Sequence, residues 1–226
     1  MSETQTQLPT DTWICASWQE YEQAIANLLK EKAKSYYYKG HMRLEMAPVS
    51  FDHGKDHVVI IFAVTLFAAL KGILATGLDT TIFRKTGVQD CQPDVAYYLR
   101  ERAQTIPAGT GIVNLDRYPV PNLVIEIAKT SLLDDLGTKR CLTTSRFAST
   151  LYEELGVAEY WVVDVQNAQI IAYAMAEQGS KRIQESQVLP GLAMFTLEEA
   201  LRRSREINQS EVGAWLLSQF QQREYS

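Results

Sequence analysis

The sequence contains few cysteines and no hydrophobic run of membrane-spanning length. Cysteine occurs three times in 226 residues, at Cys15, Cys91 and Cys141, and no CxxC spacing is present. An odd number of dispersed cysteines disfavours both a disulfide framework and a structural zinc site. The longest apolar run, residues 58–70, is shorter than the ~20 residues that a membrane helix needs. Without a basic-then-apolar N-terminal signal, the sequence predicts a cytoplasmic protein that makes no membrane contact.

Positive charge is also scarce, because 27 acidic residues outnumber 22 basic ones and the formal net charge is −5 at pH 7. Phosphate contacts dominate nonspecific affinity for DNA, so a wholly basic nucleic-acid-binding surface is excluded, whereas local basic patches stay open. The remaining composition is that of an ordinary globular chain, with 46% hydrophobic and 22% charged residues. A length of 226 residues suits one α/β domain with a sizeable core.

The hydrophobic pattern alternates between helical and strand periodicity along the chain. An amphipathic helix is predicted from Ser17, its N-cap, followed by a hairpin with strands at residues 36–38 and 42–46. A long helix that begins near Asp52 or Asp56 is apolar on nearly every side and is therefore predicted to be buried. Further strands are predicted in the stretches LDTTIFRKT, PDVAYYL, NLVIEIA, EYWVVDV, QIIAYAMA and KRIQESQVL.

Helices are also predicted in the second half of the chain. One covers residues 132–155, and one or two close the chain, where Thr196 and Glu199 have the spacing of a capping box. The order of helices and strands predicts an α/β (α+β) fold, with a mixed central β-sheet flanked by helices. We expect a single domain over residues 1–226, with helical extensions at residues 1–34 and 195–226.

Two predicted strands each carry one acid in an otherwise apolar stretch, Asp94 in PDVAYYL and Glu126 in NLVIEIA. Acids are depleted in strands, and burial of a lone carboxylate costs several kcal/mol. Two acids on neighbouring strands also repel each other, so they require a cation close by unless they lie exposed at strand ends. That cation is either an Arg or Lys side chain or a hard divalent ion. Mg²⁺ favours a small number of carboxylates and keeps several waters, which suits the hydrolysis of phosphates.

The order of these motifs resembles that of a known family. PDVAYYL, the acid in an apolar strand, DDLGTKR and LYEELGVAEYWVVDV are similar to the pattern of the Uma-type bacterial restriction-endonuclease family, within the PD-(D/E)xK nuclease superfamily. The resemblance extends from YYYKGHMRLEMAPVSFDHG to VAEYWVVDVQNAQIIAYA. It implies a restriction-endonuclease-like mixed sheet and Mg²⁺- or Mn²⁺-dependent cleavage of phosphodiester bonds in DNA. It also implies that Asp94 and Glu126 are catalytic residues that hold the metal ion.

The lysine of the superfamily motif is displaced in this sequence. The pattern requires a lysine two residues after the acid, where this chain has Ala128. Lys129 is adjacent, but in a regular strand its side chain points to the opposite face. The resemblance favours Lys139 as the catalytic lysine, because the Uma-type pattern also carries a lysine there, in DDLGTKR. The alternative is that Lys139 is a solvated helix residue paired with Asp135.

Three polar residues upstream of Asp94 are further candidates. Glu45 falls where the resemblance implies an acid near the site, or it is an exposed strand carboxylate. His53 and His57 are four residues apart, so they share one face if both are helical. His53 matches a histidine of the family pattern, and we expect it to cap the helix or to make a polar contact near the cleft.

Three functions agree with these features. The first is a Mg²⁺-dependent endonuclease that acts on DNA. The second is a catalytically degenerate nuclease fold that binds nucleic acid or a protein partner, which the missing lysine and the acidic net charge favour. The third is a metal-dependent hydrolase of a smaller phosphate ester. Nucleases of this superfamily often pair to cut both strands, so a homodimer is also expected.

Overall fold

The computed structural model describes residues 9–28, 33–46, 50–128, 150–176 and 179–222. In these residues the chain forms two six-stranded sheets, both of mixed direction, with helices packed around them. The α+β class predicted from the order of elements is therefore confirmed. The strands divide between two sheets because the hairpin near the N-terminus pairs with short strands from the middle of the chain.

The first sheet has the strand order β1-β3-β2-β6-β5-β8. Its strands are β1 (Trp13–Cys15), β2 (Ala33–Tyr38), β3 (His41–Met46), β5 (Phe83–Lys85), β6 (Gln89–Cys91) and β8 (Val113–Asn114). Helix α1 (Trp18–Leu28) packs on one face through Tyr21 and Ala24. Ser17 caps this helix as predicted, because its hydroxyl accepts the Glu20 N–H while the Glu20 carboxylate accepts the Ser17 N–H.

The second sheet has the strand order β12-β11-β10-β9-β7-β4. β9 and β10 run parallel, and the other neighbouring strands run antiparallel. Its strands are β4 (Ala75–Asp79), β7 (Val95–Leu99), β9 (Leu123–Ala128), β10 (Glu159–Asp164), β11 (Gln169–Ala176) and β12 (Gly179–Ile183). The central strands β7, β9 and β10 are apolar on both faces, which is typical of a sheet covered on both sides.

The two faces of the second sheet pack against different layers. Helices α2 (Phe51–Leu70), α4 (Met194–Glu206) and α5 (Gln209–Gln222) cover one face, where Trp161, Tyr97 and Phe67 are fully buried. The first sheet and a helical segment at residues 150–155, α3, cover the other face. There Tyr36 and Tyr38 of β2 pack with residues of β7, β9 and β10. The candidate residues lie at this second contact.

Some local predictions are wrong. The stretch KRIQESQVL is a strand only at residues 181–183, where β12 ends. Thr196 does not cap a helix, because α4 already begins at Met194 after Ala193, and the Thr196 side chain is buried in its first turn. The stretch LDTTIFRKT forms parts of two strands, β4 and β5, instead of one. Thr80 separates them with a left-handed backbone conformation, φ 45°, which a regular strand cannot contain.

Helix α2 has the length and composition of a membrane span, since it runs for 20 residues with a mean hydropathy of 1.4 in its most apolar window. It is longer than the apolar run in the sequence because its first two turns carry His53, Asp56 and His57. In the fold it packs against β9, β4, α4 and α5. A buried core helix of a globular protein has these same properties.

Candidate active site

Asp94 and Glu126 are brought together by the pairing of β7 with β9. Val95 lies opposite Ile125 in this antiparallel ladder, so Asp94, just before β7, comes next to Glu126. The Asp94 N–H donates to Glu126 Oε2 at 3.3 Å, and the Ile127 N–H donates to Asp94 Oδ2 at 2.7 Å. Asp94 is only 3% exposed. The two acids therefore share one buried space between the sheets.

The cation that this pair requires is the ammonium group of Lys34. Its Nζ lies 2.5 Å from Asp94 Oδ1 and 3.9 Å from Glu126 Oε2, and its side chain is only 7% exposed. Lys34 belongs to β2, in the register opposite Glu45 of β3. It shares a strand face with Tyr36 and Tyr38, which point at the second sheet. The first sheet thus supplies the positive charge to acids of the second sheet.

Lys34 is the site residue that the sequence interpretation missed. The sequence predicts that the preceding helix extends over this position and that the strand begins at residue 36. In the structure α1 ends at Leu28 and β2 begins at Ala33. The available signal was the alternation in AKSYYY, which places a lysine in line with two tyrosines of an inward-facing row.

Glu126 is held by phenol groups as well as by Lys34. Its Oε1 accepts the hydroxyl of Tyr152 in α3 at 2.7 Å and lies 3.4 Å from the hydroxyl of Tyr36. Burial raises the pKa of Glu126 to about 8, with the Lys34 charge opposing this shift and the Asp94 charge adding to it. Ionisation of the Glu126 carboxyl group is therefore costly without a second cation. The hydroxyl groups of Tyr152 in α3 and Tyr36 in β2 set its orientation.

The two histidines of α2 lie beside Asp94. The helix begins at Phe51 after an N-cap at Ser50, so both histidines are helical and their rings are 5.9 Å apart. His53 Nε2 is 3.8 Å from Asp94 Oδ1. His57 Nε2 donates to the Asp94 carbonyl at 3.2 Å and lies 3.3 Å from Asp79 Oδ1. The predicted polar contact of His53 near the site is present, and His57 ties α2 to the backbone of Asp94.

Glu45 lies on the same side of the first sheet, opposite Lys34. Its side chain is 26% exposed, so it is not an open surface carboxylate. Burial raises the pKa of Glu45, and the nearby charges of Arg43 and Lys34 oppose the shift. Glu45 is thus a third acid in the electrostatic environment of Lys34.

The comparisons with known proteins agree with this architecture. The family model of Uma2, described as "Putative restriction endonuclease", matches residues 18–210. The chain belongs to this family. Among solved structures, the chain is similar to one titled as a putative nuclease belonging to DUF820 from Anabaena variabilis. The sequence identity is 14% and the TM-score 0.51, with 82% of this chain and 98% of that chain covered. No curated protein matches the chain.

Uma2 membership confirms the resemblance of the motifs and supports a nuclease function. The low identity of the solved structure shows the fold alone, and that fold agrees with the predicted mixed sheet flanked by helices. The lysines that this resemblance suggested, Lys129 and Lys139, lie outside the described residues. Ala128 ends β9 two residues after Glu126, so the position where a lysine was expected from the resemblance carries no amine.

The paired acids are donors of the kind that a hard divalent cation prefers. Asp94 and Glu126 present carboxylate oxygens within a few ångströms of the Lys34 ammonium group, so the pair already lies beside one positive charge. Mg²⁺ binds through one or two carboxylates and keeps several waters, so it does not require a larger protein cage. In the described part of the chain, no group of three or more His, Cys, Asp or Glu side chains is arranged to hold a metal ion. A closed cage for zinc is therefore not formed by these residues.

Proposed function

We propose that the protein is a divalent-metal-dependent endonuclease that hydrolyses phosphodiester bonds in DNA. Lys34 carries the proposal, because its ammonium contacts the acid pair and supplies the amine that Ala128 does not. Asp94 and Glu126 are the proposed ligands of Mg²⁺ or Mn²⁺. When bound, such an ion polarises the scissile phosphate and lowers the pKa of its water.

The residues of the chain have separate tasks in this proposal. Asp94 is held rigidly by the Ile127 N–H and Glu126 by the Tyr152 hydroxyl, so the two carboxylates are oriented before substrate binds. Lys34 orients the attacking water and stabilises the negative charge that grows on the phosphate. The burial of all three groups strengthens these charge interactions, because little water is present to screen them.

A plasmid cleavage assay tests this function. Supercoiled DNA with Mg²⁺ or Mn²⁺ is expected to be nicked or linearised by the wild-type protein and not in EDTA. Asp94→Asn, Glu126→Gln and Lys34→Met are each expected to lower the rate by about a hundredfold or more. Lys181→Met on the exposed strand β12 is the matched control and keeps the wild-type rate.

The same assay distinguishes the candidate lysines. If Lys34→Met keeps full activity while Lys129→Met or Lys139→Met loses activity, Lys34 is not the catalytic lysine. The catalytic lysine is then the one expected from the sequence. Full activity in Glu126→Gln would reject the site as a whole.

A nuclease fold that binds without cleavage is the second candidate. It is favoured by the Lys34–Asp94 ion pair, which already neutralises one acid by itself. It predicts that DNA binds in fluorescence anisotropy but stays intact with either metal. Hydrolysis of a smaller phosphate ester, the third function that agrees with the sequence, predicts release of p-nitrophenol from bis-p-nitrophenyl phosphate with no cleavage of plasmid.

The proposal includes a homodimer, so that two sites can cut the two strands of a duplex, and a cytoplasmic location without membrane contact. It also includes one domain over residues 1–226, with a helical extension at residues 195–226, whereas the segment 1–34 that was expected to be a helical extension contains β1 and the first residues of β2. Sedimentation velocity measures the oligomeric state directly, and a monomer at every concentration tested contradicts the homodimer.

A further inference from the structure

Arg43 lies on the same face of the first sheet as the site lysine. In the β2–β3 ladder Arg43 is directly opposite Tyr36, and in the β1–β3 ladder it is opposite Trp13. Directly opposed residues share a face of the sheet. Tyr36 points at the second sheet and reaches Glu126, whereas Leu44, the neighbour of Arg43 in β3, packs on α1. The guanidinium of Arg43 is therefore on the inner face, one strand away from the acid pair.

The guanidinium of Arg43 is buried but poorly paired. The side chain is 10% exposed, and its closest acid is Glu45, with 3.7 Å between Arg43 Nη2 and Glu45 Oε1. That separation is longer than a hydrogen bond. Arg43 Nε is buried and has no hydrogen-bond partner among the residues that the structure describes. Buried N–H donors are almost always paired in folded proteins, so this unpaired Nε–H points to a missing acceptor.

The charges around Arg43 specify which kind of acceptor fits. With all groups ionised, the carboxylates of Asp94, Glu126 and Glu45 exceed the cations Lys34 and Arg43 by one negative charge. A divalent cation at the acid pair reverses this balance and leaves one positive charge. A single phosphodiester anion then brings the cluster to neutrality. The planar fork of an arginine matches two phosphate oxygens, which an ammonium group does not.

We propose that Arg43 binds a backbone phosphate of the nucleic acid next to the acid pair. This rests on the proposed function, because it assigns the phosphodiester substrate class to the same site. Arg43 binds one phosphate through Nε and an Nη group, and Glu45 holds the guanidinium from the side. Lys34 stays with the carboxylates, so the two cations of this face have different partners.

Binding of a short fluorescein-labelled DNA duplex, measured by anisotropy with Ca²⁺ in place of Mg²⁺ and with a gel to check that the duplex stays intact, tests the role of Arg43 while a divalent cation is present. Arg43→Gln is expected to weaken binding about tenfold and to lower the slope of log affinity against log salt by about one. Arg43→Lys keeps the charge and is expected to recover only part of the affinity. Arg182→Gln, on the exposed strand β12, is the matched control and is expected to bind as the wild type does.

Two further measurements separate a contact with DNA from other effects. Mn²⁺ titrated by calorimetry is expected to bind Arg43→Gln as it binds the wild type, which shows that the acid pair and the fold are intact. A duplex with neutral methylphosphonate linkages is expected to bind wild type and Arg43→Gln equally. Inorganic phosphate is titrated into both proteins as a further comparison. If only the wild type binds phosphate while both proteins bind the duplex equally, Arg43 binds a free phosphate ion and the proposed DNA contact is wrong.

The failure of this inference is distinct from the failure of the nuclease proposal. If Arg43→Gln and Arg43→Lys bind the duplex and cut plasmid as the wild type does, the phosphate contact is wrong while the nuclease stands. If the wild type never cuts DNA but loses duplex affinity on Arg43→Gln, the nuclease is wrong while the phosphate contact stands.

Discussion

At the residue scale, the candidate site is a buried lysine that compensates two buried carboxylates. A buried ion pair contributes little net free energy to the stability of the fold, because the cost of desolvating the charges cancels much of their attraction. Removal of one partner has a larger effect, since it leaves an unpaired charge in a dry environment. The ion pair of Lys34 with Asp94 and Glu126 is therefore best tested by deletion of the lysine alone.

Lys34→Met is expected to destabilise the metal-free protein by about 3–5 kcal/mol, because the buried Asp94 carboxylate loses the cation that lies 2.5 Å from it. Urea unfolding at neutral pH in EDTA measures the change. The control is Lys181→Met, whose side chain is on the exposed strand β12 and which is expected to change stability by about 0.5 kcal/mol or less. A Lys34→Met protein as stable as the control contradicts the compensating role.

The raised pKa of Glu126 makes the stability of the metal-free protein depend on pH. A carboxyl group whose pKa is higher in the folded state contributes stability that is fully present below its unfolded pKa of 4.5 and is lost as pH rises through about 8. Glu126→Gln removes this loss and keeps an acceptor for Tyr152. The thermal midpoint of the variant minus that of the wild type is therefore expected to increase between pH 5 and pH 8.

Thermal scans in EDTA at a series of pH values measure this difference. Tyr152→Phe serves as a comparison, because it removes the phenol that contacts Glu126 and leaves the carboxyl group. A difference between Glu126→Gln and wild type that is constant or decreases with pH contradicts the raised pKa.

At the element scale, the ends of helices and strands position the site residues. Ser50 caps α2 and thereby makes His53 helical, which brings its ring to Asp94. The sequence allowed a start near Asp52 or Asp56, and the cap at Ser50 decided for the longer helix. The β7–β9 register places the acids, and the β2–β3 hairpin carries Lys34 to them.

Glu159, the first residue of β10, anchors the loop that follows β12. Its carboxylate accepts the N–H groups of Gln187 and Val188, the Ser186 hydroxyl and the indole N–H of Trp161. Glu159→Ala is expected to lower the free energy of unfolding by about 3 kcal/mol or more, because buried donors lose their acceptor. Urea unfolding measures the change. Glu185→Ala, at an exposed position of the same loop, is the control, and an equal loss in both variants contradicts the anchoring role.

At the scale of the whole molecule, the site lies where two separate layers meet. The acids belong to the second sheet and Lys34 to the first, so the site exists only when the two sheets pack together. A ligand that binds this contact binds only the folded molecule. Its binding must therefore stabilise the fold by mass action.

Mn²⁺ is expected to raise the thermal midpoint of the wild-type protein, with a gain of about 2.7 kcal/mol when the free ion is a hundredfold above its dissociation constant. Differential scanning calorimetry with and without Mn²⁺ measures the gain. Asp94→Asn removes a proposed ligand and is expected to show no gain. An equal gain in Asp94→Asn places the stabilising ion elsewhere on the protein.

The sequence predicted most of the elements, because their information is local. The short continuous apolar runs in PDVAYYL and EYWVVDV are strong enough to identify β7 and β10, and the isolated acids in apolar strands identified Asp94 and Glu126. The capping box at Thr196 failed because the same residue pattern is compatible with a buried first turn. A short-range pattern cannot distinguish a helix cap from a buried first turn, since burial depends on which other elements pack against the helix.

The amino-acid sequence by itself determined the class of the fold, the family and the two acids, because periodicity and motif order need no knowledge of distant contacts. Only the tertiary structure decided which cation lies beside those acids. Lys34 and Asp94 are 60 positions apart in the chain, and their contact results from the packing of one sheet on another. Side-chain pairing across two layers is set by long-range packing, which a linear pattern of residues does not encode.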